Sequence, residues 1–331
     1  MGRPKIFITR LLPEECIKSL RESAEVHVWQ EGRYMSRDEQ FDHIADCEGV
    51  LVFPENRVDG EFLDACGGLR VVSNFGVGYD NIDVEACTSR GVLVGNTPDV
   101  LSETTADLAF ALIMATARKV VELARYVRKD LWHPTIDVFD NAAVDVHHAT
   151  LGIIGLGRIG CQVAQRASGF DMKILYSDVE RRTDLEKGLH AAYVNQDELL
   201  AQSDFITLHV PLNDATRRLI AEPELKKMKT SAILINTSRG PVVDQAALLK
   251  ALQAGQIAGA GMDVTDPEPM RAEDPLLALP QVIVLPHVGS ATRATRLKMV
   301  DVAVRNLSSG LQGRQMVACV NPKALGTGRN K

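Results

Sequence analysis

Two residues of this chain that can do chemistry on a small molecule stand directly after apolar runs. Arg239 follows AILINTS, and His287 follows VIVLP. A guanidinium group is a planar, permanently charged fork that can bind a carboxylate or a keto oxygen. An imidazole has an ordinary pKa of about 6.5, which suits it to general acid catalysis at neutral pH. The two residues therefore predict a site that binds a carboxylate or a keto oxygen and protonates a carbonyl group.

A general-acid histidine needs a partner that orients its ring. A carboxylate bonded to the far ring nitrogen would do this and would also stabilise the protonated imidazole. Glu268 precedes His287 in the chain, but Asp266 and Asp263 stand close to Glu268, and spacing alone does not choose among the three acids. We interpret the seven other histidines as structural: His27, His43, His133, His147, His148, His190 and His209.

A glycine-rich segment, Gly155-Leu156-Gly157-Arg158-Ile159-Gly160, fits the pattern GxGxxG. The apolar run LGII precedes it, a helical pattern follows it, and Asp178 ends the next apolar run, about 20 residues further on. Such glycines let a pyrophosphate approach the backbone at a helix N-terminus, and the acid accepts from a ribose 2′-hydroxyl. The context predicts a dinucleotide-binding site.

A second glycine pair, in Gly76-Val77-Gly78, follows the run RVVSN near the middle of the first hundred residues. Successive backbone N–H groups in such a loop can form a small nest for an anion. We predict that Val77 and Gly78 bind the substrate carboxylate together with Arg239 and His287, and a plain turn is the alternative interpretation.

The elements that position these residues follow an alternating pattern. Short β-rich runs alternate with amphipathic segments over the first hundred residues, and a second series of this kind begins near Thr150. Alternation of this kind is typical of parallel sheets covered by helices on both faces. The chain is therefore predicted to be an α/β protein with two doubly wound parallel-sheet domains. We expect a Rossmann-type dinucleotide-binding domain over residues 100–291 and a discontinuous, flavodoxin-like substrate domain over residues 1–99 and 292–331.

Between the two series, the segment after Pro98 predicts one long helix that is apolar on several faces. We expect this helix to line a domain or subunit interface. Trp132, in the connector that follows it, is predicted either to reach across a dimer or to be a core or hinge residue.

Composition excludes several classes of function. The 331 residues carry a formal net charge of −6 with no basic stripe, which argues against a nucleic-acid partner. No apolar run approaches a membrane span and the N-terminal run is too short for a secretory signal, so we predict no membrane partner and a cytoplasmic location. The six cysteines are scattered singly, which predicts reduced thiols, Cys161 included, and no metal site. The expected partner is a small molecule.

Six spaced motifs together span nearly the whole chain. They are GVGYDNID (76–83), NTPDVLSETTADLAFAL (96–112), TLGIIGLGRIG (150–160), INTSRGPVVDQAALLKAL (235–252), DVTDPEP (263–269) and PHVGSATRATR (286–296). This set of motifs resembles the D-2-hydroxyacid dehydrogenase family. Within that family, the DVHH run before the glycine loop and the CVNP run near the end are most similar to glyoxylate/hydroxypyruvate reductases and 2-ketogluconate reductases.

This resemblance implies an enzyme that reduces a small 2-keto acid, of the glyoxylate, hydroxypyruvate or 2-ketogluconate type, to the D-2-hydroxy acid. The hydride would come from the nicotinamide of NAD(P)H and the proton from His287. The family's catalytic set matches Arg239, Glu268 and His287, with Glu268 as the histidine's partner, and Asp263 is assigned to the nicotinamide carboxamide. The implied cofactor contacts are Thr104, Gly155, Gly157, Arg158, Ile159, Gly160, Asp178, Val210, Pro211, Thr216, Thr237, Ser238, Arg239, Asp263, His287 and Gly289.

Asp178 stands where many glyoxylate and 2-ketogluconate reductases place an arginine for the 2′-phosphate of NADPH. We therefore predict NAD as the cofactor, with NADH preferred over NADPH, although Arg181 and Arg182 follow closely enough to offset part of the repulsion between Asp178 and a 2′-phosphate. The family and the apolar helix also predict a homodimer. Two other functions stay open: a nucleotide-sensing regulatory protein of this fold, and a formate- or phosphite-type dehydrogenase, which the run RATR (293–296) resembles.

Overall fold

The protein is described by a computed structural model that covers residues 2–134, 137 and 139–326. The chain divides into two compact units. Unit 1 comprises Met1–Leu101 and Thr292–Lys331, and unit 2 comprises Ser102–Ala291. Within the described ranges, no helix has the length and apolar character needed to cross a bilayer.

Unit 1 contains a parallel five-stranded sheet of order β2-β1-β3-β4-β5. Its inner strands are short and buried because helices cover the sheet. The strands are β1 (Lys5–Ile8), β2 (Glu25–Val28), β3 (Gly49–Val52), β4 (Val71–Asn74) and β5 (Leu93–Gly95), and the intervening helices are α1 (Glu14–Ser23), α2 (Arg37–Ile44), α3 (Gly60–Ala65) and α4 (Val84–Ser89).

Unit 2 begins with two helices, α5 (Ser102–Ala117) and α6 (Val120–Arg128), and continues as a parallel seven-stranded sheet of order β12-β11-β10-β9-β6-β7-β8. The strands are β6 (Thr150–Ile154), β7 (Lys173–Ser177), β8 (Ala191–Tyr193), β9 (Phe205–Leu208), β10 (Ile233–Asn236), β11 (Gly259–Met262) and β12 (Val282–Val284). The connecting helices are α7 (Arg158–Ser168), α8 (Thr183–Leu189), α9 (Gln196–Gln202), α10 (Glu222–Lys227) and α11 (Gln245–Gln253). Strand order reverses between β6 and β9, which opens a crevice at their carboxyl ends.

The last long helix, α12 (Arg293–Leu311), returns the chain to unit 1 and packs against β3, β4, β5 and α1. The Ser73 hydroxyl on β4 donates to the Ala303 carbonyl of α12 at 2.9 Å. After α12, Cys319 pairs with Gly95 at the end of β5. The C-terminal segment therefore completes the domain that the N-terminal segment begins.

The predicted fold class, two α/β domains with parallel sheets, is confirmed. The single long helix predicted after Pro98 is wrong, because it is two helices separated at Lys119, which has a left-handed φ of 51°. The break is fixed from outside the helix, since the Val144 N–H donates to the Ala117 carbonyl at 3.0 Å. The apolar residues of α5 pack against β10, β11 and α7, so they belong to the core of unit 2 itself.

Candidate active site

Arg239, Glu268 and His287 lie on the loops that follow three neighbouring parallel strands, β10, β11 and β12. Because carboxyl ends of parallel neighbours meet at one edge of the sheet, the three side chains share that edge of unit 2. The Nδ1 of His287 lies 2.6 Å from Oε1 of Glu268, which makes a short, charge-assisted hydrogen bond. The structure thus selects Glu268 over Asp266 and Asp263 as the acid that contacts the imidazole.

The charge state of Glu268 is set by two opposing effects. Burial opposes its ionisation, but the hydrogen bond and charge of His287 outweigh burial, so the pKa of Glu268 is lowered. The Thr265 N–H and the Arg239 charge act in the same direction as His287. Glu268 is therefore an anion at neutral pH, bonded to Nδ1, and Nε2 on the opposite side of the ring is the nitrogen that a substrate could reach.

Arg239 is brought beside the Glu268 loop by a close approach of two backbones. A Cβ built on Gly240 would lie 1.9 Å from the Thr265 carbonyl oxygen, so only glycine allows the loop after β10 to touch the loop after β11 here. The Arg239 carbonyl accepts a hydrogen bond from the Asn236 side chain at 2.9 Å. Nη1 of the Arg239 guanidinium donates to the Ser238 carbonyl at 2.8 Å. These bonds hold the backbone from which the guanidinium projects.

Asp263 has a structural task that sequence reasoning missed. Its buried carboxylate accepts from the N–H groups of Val288 at 2.8 Å and Gly289 at 2.7 Å, and its carbonyl accepts from the His287 N–H at 2.9 Å. His287 has a left-handed φ of 53°, which is uncommon for a residue other than glycine. Asp263 therefore holds His287 and its loop in this conformation. Burial raises the pKa of Asp263, whereas the two N–H donors act in the opposite direction.

The glycine loop between β6 and α7 has the features of an anion site. Gly155 has a positive φ of 93°, and a Cβ there would lie 2.7 Å from the His209 carbonyl oxygen. A Cβ on Gly157 would meet nothing within 4 Å, and no side chain caps α7 at this end. Open space beside a helix N-terminus fits a pyrophosphate. Arg158, Ile159 and the buried Gly160 form the first turn of α7.

Asp178, directly after β7, is placed against this loop. Its Oδ2 accepts from the Leu156 N–H at 2.7 Å, and its Oδ1 accepts from the Val179 N–H at 2.7 Å. The carboxylate therefore lies at the rim of the anion site, where a ribose hydroxyl could donate to its remaining lone pairs. The residues of unit 2 thus fit the adenosine and pyrophosphate of a dinucleotide.

Most of the other predicted cofactor residues of unit 2 follow the carboxyl ends of its strands. Val210 and Pro211 follow β9, and the Thr216 hydroxyl closes their loop by donating to the Pro211 carbonyl at 2.6 Å. Thr237 and Ser238 follow β10, and the buried Thr237 hydroxyl has no hydrogen-bond partner among the residues that the structure describes. Thr104 is in the first turn of α5. Gly289 is closely packed, since a Cβ there would lie 3.2 Å from Asp263 and 3.3 Å from Thr105.

Val77 and Gly78 lie in unit 1, on the loop after β4. Their carbonyl groups accept from the side chains of Asn96 at 2.9 Å and Asn74 at 2.7 Å. These bonds fix the loop, and its role as a nest for a carboxylate stays a prediction.

Cysteines and metal ligands add no further site. All six thiols are free, and burial raises the pKa of Cys161, whose Sγ lies 3.5 Å from the Leu156 carbonyl oxygen. Across the described part of the chain, no group of three or more histidine, cysteine, aspartate or glutamate side chains is placed to bind a metal.

Comparison with known proteins identifies the family of this chain. The family model described as D-isomer specific 2-hydroxyacid dehydrogenase, NAD binding domain, matches residues 110–289. The chain belongs to the D-isomer specific 2-hydroxyacid dehydrogenase family. It is 46% identical over 327 residues to the glyoxylate reductase of Korarchaeum cryptofilum, covering 98% of this chain and 97% of that protein. It is 44% identical over 321 residues to the glyoxylate/hydroxypyruvate reductase B of Escherichia coli, covering 97% and 98% respectively.

Solved structures of D-2-hydroxyacid dehydrogenases are similar over the whole chain. A glyoxylate reductase from Paecilomyes thermophila has a TM-score of 0.86 at 31% identity, with 97% of this chain and 99% of that chain covered. The NADPH-dependent glyoxylate/hydroxypyruvate reductase of Sinorhizobium meliloti, in complex with NADP and malonate, has a TM-score of 0.83 at 32% identity, with 98% of each chain covered. These relatives confirm the predicted family and oxidoreductase class, and they favour a reductase over the regulatory and formate- or phosphite-type alternatives.

Proposed function

We propose that this protein reduces a small 2-keto acid of the glyoxylate or hydroxypyruvate type to the D-2-hydroxy acid with NAD(P)H. The observation that carries the proposal is the 2.6 Å pair of Glu268 and His287 on the same sheet edge as Arg239. An acid–base dyad and a guanidinium are the groups that carbonyl reduction needs from a protein. The names of the relatives supply the substrate class.

The nicotinamide, when bound, supplies the hydride that reduces the keto carbon. Arg239 binds the carboxylate or keto oxygen through its planar fork and polarises the carbonyl. His287 donates the proton from Nε2 to the carbonyl oxygen, and Glu268 on Nδ1 keeps the ring oriented.

A panel assay tests this function. Oxidation of NADH and of NADPH is followed with glyoxylate, hydroxypyruvate and 2-ketogluconate, and reduction of NAD is followed with formate and phosphite. We expect turnover with glyoxylate or hydroxypyruvate. Turnover with formate or phosphite alone would contradict the proposal and favour a formate- or phosphite-type dehydrogenase. Nucleotide binding without any turnover would favour a regulatory role.

NADH is the proposed cofactor in preference to NADPH. Asp178 is held at the rim of the anion site by two backbone N–H groups, so it cannot turn away from a ribose without losing both bonds. A carboxylate 4 Å from a phosphate charge costs about 4 kcal/mol at an effective dielectric of 20. Even half of that value favours NADH by about thirtyfold, because about 1.4 kcal/mol is tenfold, and we expect a preference of at least about tenfold in kcat/KM.

A homodimer is the proposed assembly. The described residues from Val120 to Phe139 include five large exposed apolar side chains, of which Trp132 and Phe139 are 77% and 76% exposed. Helix α6 itself buries none of its residues. A concentration of exposed apolar surface is typical of an interface. Sedimentation should show a dimer that Trp132→Ser with Phe139→Ser weakens, and a monomeric parent protein would contradict the proposal. The cytoplasmic location stays a prediction.

A further inference from the structure

Two arginines follow β7, and each is held by a carboxylate of helix α8. Arg182 donates from Nε and Nη2 to the two carboxylate oxygens of Asp184, at 3.2 and 3.1 Å. Arg181 donates in the same bidentate way to Glu186, at 2.7 and 3.0 Å. Both cations that could bind a 2′-phosphate therefore have an internal anionic partner.

Arg182 is the arginine that reaches the glycine loop. Its Nη1 donates to the Leu156 carbonyl at 3.3 Å, and the N–H of the same residue, Leu156, donates to Asp178 at 2.7 Å. The Arg182 guanidinium and the Asp178 carboxylate therefore bond to the carbonyl oxygen and the N–H of the same loop residue, Leu156. If Asp178 accepts from the ribose, as proposed above, Arg182 is within reach of a substituent on the 2′-oxygen.

Arg181 is held elsewhere. Its guanidinium lies 5.9 Å from the centre of the Tyr193 ring, and its partner Glu186 also accepts from the Tyr176 hydroxyl at 2.9 Å. The same hydroxyl accepts from the Arg182 N–H at 2.8 Å, and Tyr176 is fully buried on β7. The backbone between β7 and α8 is therefore fixed, and the side chain of Arg182 is the part that can respond to a ligand.

We propose that Asp184 is a specificity-determining residue, which restrains Arg182 and so excludes a 2′-phosphate from the adenosine site. With Asp178, Arg182 and Asp184 together, the local formal charge is negative, and the fork of Arg182 is occupied. Replacing Asp184 by asparagine removes one negative charge and releases two donors beside the loop. The inference rests on the proposed NADH preference of this site, and it explains why two arginines after Asp178 do not reverse that preference.

Binding of half-molecules without nicotinamide tests this inference independently of turnover. Calorimetry compares adenosine 2′,5′-bisphosphate with 5′-AMP in the parent protein, in Asp184→Asn and in the matched control Glu186→Gln, which frees the more distant arginine. We expect Asp184→Asn to tighten the bisphosphate about fivefold and to change 5′-AMP less than twofold, because the freed pair was exposed and individually weak. Glu186→Gln should change both ligands less than twofold.

The double variant Arg182→Ala with Asp184→Asn identifies the group that acts. Loss of the fivefold gain in this variant supports Arg182 as the phosphate ligand. Three results would overturn the role of Asp184. The double variant could keep the tighter binding of the bisphosphate, Glu186→Gln could tighten it equally, or Asp184→Asn could leave it unchanged. A parent protein that already prefers the bisphosphate over 5′-AMP would refute both the NADH preference and the restraint, and a parent that binds neither would refute the dinucleotide site itself.

Discussion

The Glu268 carboxylate should determine how well His287 acts as the proton donor. Despite burial, the pKa of Glu268 is lowered by the contact with His287, and its Oε1 lies 2.6 Å from Nδ1 of the ring. A general acid needs its ring held in the orientation for proton transfer. Glu268→Gln keeps the shape of the side chain but removes the charge and leaves a weaker acceptor for Nδ1, so kcat/KM for reduction should fall.

The size of this fall follows from the contact. Two unit charges about 4 Å apart interact by about 1 kcal/mol in water and about 4 kcal/mol at an effective dielectric of 20. The two side chains are 33% and 41% exposed, so solvent screening moves the value toward the lower end. A loss of about 1.4 kcal/mol corresponds to a fall in kcat/KM of about tenfold.

The assay measures kcat/KM for glyoxylate with saturating NADH at neutral pH, in the parent protein and in Glu268→Gln. Asp266→Asn is the matched control, because Asp266 is on the same loop but is not the acid that contacts the imidazole. A kcat/KM of Glu268→Gln equal to that of the parent protein, or an equal fall in Asp266→Asn, would refute the assignment of Glu268 as the partner.

Four further outcomes can be checked. His287→Ala should lower kcat by about two to four decades while NADH binding, followed by fluorescence, is retained, and near-normal turnover would remove His287 from the reaction. Arg239→Lys should raise KM for the keto acid and lower kcat, because an ammonium lacks the bidentate fork; kinetics equal to those of the parent protein would place the arginine outside the site. Asp178→Ala should erode the preference for NADH mainly by improving kcat/KM for NADPH, whereas a parent protein that prefers NADPH would contradict the role of Asp178. Burial lowers the pKa of His209 to about 3, so the unfolded chain binds more protons than the folded protein between that value and about pH 6.5. The free energy of unfolding in urea should therefore fall as pH is lowered through this range, and His209→Asn should reduce the dependence; identical slopes would show that other groups cause it.

The fold and much of the candidate site could be predicted from sequence because both depend on local order along the chain. Arg239, His287 and Asp178 each follow an apolar run, and parallel strands bring their carboxyl ends to one edge. The choice among Asp263, Asp266 and Glu268 depends on the path of the loop after β11. That path is set by the contact of Gly240 with the Thr265 carbonyl, which spacing does not reveal.

Two further features depend on contacts between distant segments. The break between α5 and α6 contains no proline or glycine, and it arises where the Val144 N–H bonds the Ala117 carbonyl. Asp263 anchors the His287 loop through the N–H groups of Val288 and Gly289, which lie 25 and 26 positions after it in the chain. An aspartate directly after a buried strand was the available signal, but it does not say whether the carboxylate faces a ligand or the backbone.

The position of α12 in the chain has a consequence for biosynthesis. Ribosomes complete unit 2, Ser102–Ala291, before they make the helix that packs on β3, β4 and β5 of unit 1. The strands from Lys5 to Gly95 therefore emerge first and wait longest for the helix that covers them, while unit 2 already has every strand of its sheet. Exposed strands in a nascent chain are prone to aggregation. Production of the protein should accordingly be most sensitive to events late in translation, such as premature termination after residue 291.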